Sequence, residues 1–338
     1  MKKLGLLLMS LLLSASLVGC GDNKSNGNSG NKEETFTLSI GHSDPTENLL
    51  HVALVEFEKY VEAETEGKVD VQIYAAEQLG SNGEMAEMVK LNNLDVHLTP
   101  AGVQSNYSPK VNVFSLPFLF ETYEQVWTAL DSQLGKDLVE EDLASNNMIQ
   151  LAYWENGLRQ TTTNVKPIVV PADLEGQKIR TPEDAITIAI YKALGSSPSP
   201  LAFSELYLAL QNNQFDGQEN PVQNIYANNF HDVQKYMSMT NHKYEHKAFI
   251  MSLDKWNSFP TDIQEVLQEA ALKFGQVHRD SVVNSADSMI AELEAEGLEV
   301  NYPDLAPFQK ATSSVYDDFY SENAWAKDAV AQIKELIK

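Results

Sequence analysis

Cysteine is almost missing from this sequence of 338 residues, because Cys20 is the only one. A single thiol excludes an internal disulfide and a zinc site built from several cysteines. Positive charge is also scarce: 24 Lys and Arg stand against 48 Asp and Glu, which gives a formal net charge of -24. The sequence therefore argues against nucleic acid as a partner, since such binding depends on cations that face phosphates.

Most familiar catalytic motifs are absent as well: the sequence has no glycine-rich phosphate loop and no Gly-x-Ser-x-Gly elbow. The segment His242-Lys243-Tyr244-Glu245-His246 does match a zinc motif letter for letter, but that motif needs a helix and a third ligand. The pattern of residues 247–253 instead favours a strand. A zinc-dependent hydrolase that uses His242, Glu245 and His246 is the alternative. The main interpretation expects no enzyme activity, no cofactor and no metal.

The N-terminal segment predicts a lipoprotein leader. Lys2 and Lys3 precede an apolar run over 4–18, and small residues lead to Cys20. We expect a signal peptide over 1–19 and lipidation at Cys20, which would anchor the protein to the outer face of the cell membrane or place it in the periplasm. Residues 20–35 carry few apolar side chains and predict a flexible tether.

Strand and helix patterns alternate after this leader and predict an α/β fold with a mainly parallel sheet. The expected elements are strands over 36–41, 69–73 and 95–99 and helices over 46–66 and 84–92. Ligands of such sheets bind in loops at the carboxyl ends of strands. The loop that contains His42 and Ser43 is therefore a candidate, as is Glu84 at the start of a helix.

Three further elements are predicted in the second half of the chain. Residues 178–180 form a short strand that leads into a helix starting at Thr181-Pro182, and Ser204 caps a helix that reaches Gln214. Helical spacing then begins with Thr261 and Gln264 as a capping box and continues to Leu293. An unbroken helix of this extent spans about 50 Å, so it should run along two lobes.

Two arginines carry the candidate binding site. Arg159 follows a predicted strand edge, and Arg180 lies at a predicted junction between strand and helix. A guanidinium held by a defined element can bind a small carboxylate in two-pronged fashion. The competing interpretation for each arginine is a salt bridge with a neighbouring acid.

The chain resembles the solute-binding proteins of the TRAP (tripartite ATP-independent periplasmic) transporters, the DctP family. The matching motifs are Gln78-Leu79-Gly80, Leu116-Pro117-Phe118, Arg159-Gln160-Thr161-Thr162, Asp173-Leu174-Glu175-Gly176, Lys178-Ile179-Arg180, Ala202-Phe203-Ser204-Glu205 and Asp216-Gly217-Gln218-Glu219-Asn220-Pro221. The resemblance implies a two-lobe fold like that of periplasmic binding proteins, with a hinge and a long helix across both lobes. It also implies a small organic acid as ligand, and the small and large membrane subunits of the permease as partners.

The resemblance also implies roles for single residues. Arg180 falls on the main carboxylate clamp, Arg159 on the second arginine, Asn220 on the supporting asparagine and Phe203 on the aromatic beside it, although Phe203 would equally fit an ordinary core. Trp154 and Asn156 precede Arg159 and are expected to line the cleft, with a buried strand edge as the alternative.

We expect lobe I over 36–156 plus 246–285 and lobe II over 157–245 plus 286–338. The family's sialic-acid binders carry a glutamate and an arginine where this chain has Pro100 and Val103, so the resemblance favours a C4-dicarboxylate or a sugar acid such as a uronate.

Overall fold

The computed structural model describes residues 35–338. The ten strands are β1 (Phe36–Gly41), β2 (Val69–Tyr74), β3 (Val96–Pro100), β4 (Met148–Thr163), β5 (Lys178–Thr181), β6 (Ser197–Pro200), β7 (Gly217–Pro221), β8 (Tyr236–Ser238), β9 (Tyr244–Ser252) and β10 (Glu299–Asn301). The α-helices are α1 (Leu49–Glu64), α2 (Asn82–Lys90), α3 (Ala101–Gln104), α4 (Tyr123–Leu130), α5 (Gln133–Asp137), α6 (Glu140–Ser145), α7 (Ala185–Ala193), α8 (Leu206–Gln211), α9 (Val222–Ala227), α10 (Leu253–Ser258), α11 (Thr261–Ala295), α12 (Ala306–Ala311), α13 (Ser313–Glu322) and α14 (Ala326–Leu336). Short 3-10 helices cover Pro109–Ser115, Pro171–Leu174, Phe203–Glu205 and Phe230–Asp232.

The strands form one sheet in the order β2-β1-β3-β9-β4-β7-β5-β6, with β8 joined to β4 and β10 joined to β8. The outer strands pair in parallel, as the alternating sequence pattern predicts. The central strands do not, because β9 runs antiparallel to both β3 and β4, and β4 runs antiparallel to β7. The α/β class is therefore confirmed, but the sheet is mixed rather than mainly parallel.

Strand β4 belongs to both halves of the sheet. Its first part pairs with β9, and its last residues pair with β7 and β8. The pairing with β9 shifts register between Glu155 and Gly157, which marks a bulge where the two halves meet. Gly157 has a φ of +132°, and a Cβ built there would lie 2.9 Å from the Cβ of Pro221. The backbone at this junction therefore requires glycine.

Helix α11 confirms the prediction of a long helix across both halves. It contains 35 residues, about 50 Å, and packs on α1 and β4 near its start and on α9 further along. Trp154 on β4 fixes the first half, since its Nε1 donates to the oxygen of Ala271 at 2.9 Å. The predicted capping box is wrong: Pro260 occupies the cap position, and no side chain caps the first turn.

Two other predicted helix starts are displaced. Helix α7 begins at Ala185 rather than Thr181, because Asp184 accepts a hydrogen bond from the backbone of Ile186 and so acts as the cap. Helix α8 begins at Leu206 after a 3-10 turn, and Ser204 caps nothing. Among the helices of residues 35–338, none is both long enough and apolar enough to cross a membrane. The predicted signal peptide, Cys20 and nearly all of the predicted tether lie outside the described residues.

Candidate functional site

A cavity of about 650 Å³, counted with the open solvent at its mouth, lies where the two halves of the sheet meet. Strands β4, β5, β7 and β9, the end of β3, the loops after β1 and β2, and helices α2, α3 and α9 all contribute to its walls. The polar and charged side chains among its lining are Ser43, Asp44, Glu77, Ser81, Asn82, Asn156, Arg159, Arg180, Glu183, Asn220, Asn224, Glu245 and Lys247.

The side chain of Arg180 is held at the cavity by a backbone oxygen. Its Nε and Nη2 both donate to the oxygen of Leu201, at 3.0 and 2.6 Å, and its guanidinium carbon lies 5.9 Å from the centre of the Phe203 ring. The residue is 2% exposed, and within residues 35–338 it forms no ion pair. Burial lowers the pKa of Arg180 to about 10, which still leaves it charged at neutral pH.

Arg159 is bound in a different way, by two carboxylates on neighbouring strands. Its Nε pairs with Glu219, its Nη1 with Glu245, and its Nη2 donates to Glu219 Oε1 at 2.7 Å and to the Glu219 backbone oxygen at 2.8 Å. Burial works against the charged form, but Glu219 and Glu245 outweigh it and raise the pKa of Arg159. Most of its donors are therefore already bound to protein acceptors.

Asparagine amides connect this ion cluster to the rest of the cavity. Asn220 Oδ1 accepts from Arg159 Nη2 at 3.1 Å, and Asn156 Nδ2 donates to Glu245 Oε2 at 2.8 Å. Asn224 Nδ2 donates to Asn156 Oδ1 at 3.1 Å. The network reaches the loop after β1, since Asn48 Nδ2 donates to Asn224 Oδ1 at 3.1 Å. These bonds join the two halves of the sheet around the cavity and fix the amide orientations.

Lys247 and Asp44 form a third charged group of the lining. Lys247 is 3% exposed, and its ammonium pairs with Asp44, which is 1% exposed. Burial works against ionisation of Asp44, but Lys247 lowers its pKa overall. A similar pair, Lys243 with Asp184, lies behind the cavity, where Lys243 Nζ also donates to Thr187 Oγ1 at 2.8 Å.

Comparison with known proteins assigns this architecture. Residues 40–323 match the family model described as "DctP: Bacterial extracellular solute-binding protein, family 7". The chain belongs to this family. Among solute-binding relatives, the sialic acid-binding periplasmic protein SiaP of Vibrio cholerae is 32% identical over 261 residues, which cover 77% of this chain and 81% of that one. The chain spans 52% of another relative, the uncharacterized protein y4mM of Sinorhizobium fredii, at 35% identity over 282 residues.

Solved structures agree with the two-lobe fold predicted for a TRAP solute-binding protein. A TRAP periplasmic solute binding protein from Polaromonas sp. JS666, bound to D-erythronate, has a TM-score of 0.85 and 33% identity, covering 89% of this chain and 98% of its own. One from Sulfurospirillum deleyianum, with bound succinate, has a TM-score of 0.84 and 28% identity and covers 90% and 99%. The family resemblance and the fold inferred from the sequence are therefore confirmed.

Six of the predicted ligand residues of this solute-binding protein meet at the cavity. They are Ser43, Asn156, Arg159, Arg180, Phe203 and Asn220. They come from the loop after β1, from β4, β5 and β7, and from the turn before α8. Their roles in binding stay predictions, but their common position is a structural finding.

Three other predicted ligand residues are not brought to the cavity lining. Trp154 is fully buried in the core between β4 and α11 and does not line the cavity. Glu84 closes a capping box with Ser81, so its carboxylate is bound to the start of α2. His42 is buried behind the loop, where its Nε2 lies 3.0 Å from His51 Nδ1 and its Nδ1 accepts from the backbone N–H of Asp44. These three residues were predicted to contact the ligand because they are close in sequence to other candidate residues or loops, and the prediction that they line the cavity is wrong.

The sequence interpretation missed several lining residues, including Asp44, Glu77, Asn224, Glu245 and Lys247. The sequence did contain a signal for two of these residues. Glu245 and Lys247 stand in a strand that is buried along its whole length, and a buried charge must find a partner. Asp44 belongs to the loop that was predicted to contact a ligand, but its pair with Lys247 links positions 203 residues apart.

The zinc alternative is not supported by the local structure. Glu245 and His246 lie on strand β9 rather than on a helix, so adjacent positions point to opposite faces. His246 Nε2 lies 2.8 Å from Gln104 Oε1, while His242 Nε2 lies 3.2 Å from Glu219 Oε2. Within residues 35–338, no three His, Cys, Asp or Glu side chains are arranged to hold a metal ion.

Proposed function

We propose that this protein is the extracytoplasmic solute-binding subunit of a TRAP transporter. It captures a small organic acid, either a C4-dicarboxylate or a sugar acid, through an arginine-carboxylate clamp and delivers it unchanged to the small and large membrane subunits of the permease. The family membership supports this role, as do the solved relatives with bound D-erythronate and bound succinate and the relative named for sialic acid. The predicted lipid anchor on Cys20 would keep the receptor beside its permease.

The observation that carries the proposal is the state of Arg180. It is a buried cation at a cavity, and it has no carboxylate partner within the described chain. A buried charge without a partner is costly, and a ligand carboxylate would supply that partner. The Leu201 oxygen binds one edge of the guanidinium, so Nη1 is left to form charge-assisted bonds with the ligand. Arg159 would contribute the N–H of Nη1 that Glu245 does not accept.

Closure around the ligand would use the junction in β4. The bulge before Gly157 lies where the strand passes from one half of the sheet to the other. We place the boundary of the lobes here, with lobe I over 36–156 and 246–285 and lobe II over 157–245 and 286–338. Rotation about this junction would expel water from the cavity and strengthen the ion pair between Arg180 and the acid.

Thermal unfolding in the presence of an organic-acid panel tests the proposal. A ligand at one hundred times its dissociation constant should raise the free energy of unfolding by about 2.7 kcal/mol. Arg180→Ala should reduce the shift to about 0.9 kcal/mol or less at the same ligand concentration, whereas Lys178→Ala, an exposed charge on the same strand, should retain it. Failure of every acid to stabilise the wild-type protein would refute the assigned role.

A further inference from the structure

The cations around the cavity differ in whether a carboxylate of the protein already pairs with them. Three cations line it, Arg159, Arg180 and Lys247. Arg159 is held between Glu219 and Glu245, and Lys247 is held by Asp44. Within residues 35–338, Arg180 alone among the three has no acid partner. The cavity therefore offers one cation, Arg180, that has no salt-bridge partner.

The remaining wall of the cavity is rich in carboxylates. Asp44, Glu77, Glu183 and Glu245 line it, so the carboxylates outnumber the cations. Glu77 has no cation within salt-bridge distance among the described residues, and burial raises the pKa of its carboxyl. A second carboxylate on a ligand would find no free cation and would lie among like charges, which costs binding free energy.

Glu245 also has an acceptor atom that no described group satisfies. The residue is 2% exposed, and its Oε2 binds Arg159 and Asn156. Its Oε1 receives no hydrogen bond within residues 35–338, and the Lys243 ammonium stays 3.7 Å away. A buried acceptor of this kind is costly unless a donor reaches it. In this structure the atom is shielded from solvent, so a ligand hydroxyl would reach it after a rotation of the Glu245 side chain, whereas a carboxylate has no hydrogen to donate.

We propose that the site selects acids with one carboxylate and several hydroxyl groups over dicarboxylates, and that Glu245 is a specificity-determining residue that accepts from a ligand hydroxyl. This inference rests on the proposed function, because it assumes that Arg180 binds the carboxylate. Of the two ligand classes in the proposed function, the inference favours sugar acids over C4-dicarboxylates. The carboxylate lies against Arg180, and the hydroxyl-bearing carbons extend toward the acidic wall.

Matched ligands that differ only at the terminal carbon test the selection. Isothermal titration of the purified wild-type chain would compare erythronate with meso-tartrate and gluconate with glucarate. The dicarboxylate of each pair is the same molecule with its terminal CH₂OH oxidised to a carboxylate. We expect the monocarboxylate of at least one pair to bind ten-fold or more tightly than its partner. Succinate and butyrate serve as a dicarboxylate and a monocarboxylate without hydroxyls.

The outcomes separate this inference from the proposed function. A dicarboxylate that binds as tightly as its matched monocarboxylate, or succinate binding above all others, overturns the selection but leaves the transport role intact. Butyrate binding as tightly as erythronate overturns the part assigned to hydroxyl groups. Absence of binding by any acid on the wider panel overturns the proposed function and this inference with it.

Variants test the part assigned to Glu245. Glu245→Gln removes a negative charge from the acidic wall and should shift the ratio of dissociation constants at least ten-fold toward the dicarboxylate. Glu175→Gln makes the same chemical change at an exposed position outside the cavity lining and should alter that ratio by less than three-fold. An unchanged ratio in a folded Glu245→Gln protein would refute the role of Glu245. If that variant does not fold, the wild-type ligand pairs decide.

Discussion

Arg180 donates from both Nε and Nη2 to a single acceptor, the backbone oxygen of Leu201, at 3.0 and 2.6 Å. This relationship fixes one edge of the guanidinium plane before any ligand arrives. The Phe203 ring beside it limits the remaining freedom. A cation held in this way loses little conformational entropy on binding, which favours affinity for a planar carboxylate.

Replacement of Arg180 should therefore remove binding without loss of stability. Truncating one partner of a buried, charge-assisted pair costs about 2 to 5 kcal/mol, so Arg180→Ala should weaken binding about 30-fold to several thousand-fold. The ligand-free variant should unfold at nearly the same temperature, because removal of an unpaired buried charge offsets the loss of the two hydrogen bonds to the Leu201 oxygen. Titration calorimetry and thermal unfolding check both expectations. Normal affinity in this variant would disprove the clamp.

Replacement of Arg159, in contrast to that of Arg180, should lower the stability of the folded protein. Its removal leaves Glu219 and Glu245 buried without their common cation, and breaking a buried pair in this way costs about 3 to 5 kcal/mol. Arg159→Met keeps similar bulk, so the loss should come from charge rather than from a cavity. Urea unfolding at pH 7 measures it. A variant with wild-type stability would show that the two carboxylates do not need Arg159 in the folded protein.

The elements with strong local signals were predictable from the sequence. Helix α11 follows from apolar spacing maintained over many turns, and β5 and the position of Arg180 follow from a short strand pattern beside Pro182. Local spacing could not identify the start of α7. Asp184, rather than Thr181, acts as its cap, and Asp184 is held by Lys243, a contact between residues 59 positions apart.

The errors at the site have the same origin. Trp154 and Asn156 are two positions apart and would share a face in a regular strand, but the bulge between Glu155 and Gly157 breaks the alternation, so only Asn156 lines the cavity. Glu84 could have been assigned correctly, because Ser81 three positions earlier completes a capping-box signature. The pairing of Asp44 with Lys247 is a tertiary contact that no local pattern encodes.

The junction in β4 depends on Gly157. Its φ of +132° is unfavourable for other residues, and an added Cβ would lie 2.9 Å from Pro221. Gly157→Ala should lower the free energy of unfolding by about 1 to 3 kcal/mol. Gly83→Ala is the control, because Gly83 lies in α2 with no atom within 4 Å of an added Cβ. That change should be neutral or stabilising by up to about 1 kcal/mol. Equal effects from the two substitutions would argue against strain at the junction.

Stability should fall as the pH drops below about 6.5, because several histidines are buried in neutral form. Burial, followed by the charge of Lys247, lowers the pKa of His97 and of His278 to about 3 from a usual value of 6.5. Between these values the unfolded chain binds protons that the folded chain does not. The free energy of unfolding should therefore rise with pH through this window and be lost as pH falls.

Each such histidine contributes about 1.4 kcal/mol per pH unit within the window. His278 offers a clean test, because neither of its ring nitrogens has a hydrogen-bond partner among the described residues. His278→Leu removes its titration and breaks no hydrogen bond, so the dependence of stability on pH between 6 and 4 should become less steep by about that amount. Urea unfolding at several pH values measures the slope for both proteins. An identical slope would mean that His278 takes up its proton equally in the folded and unfolded states.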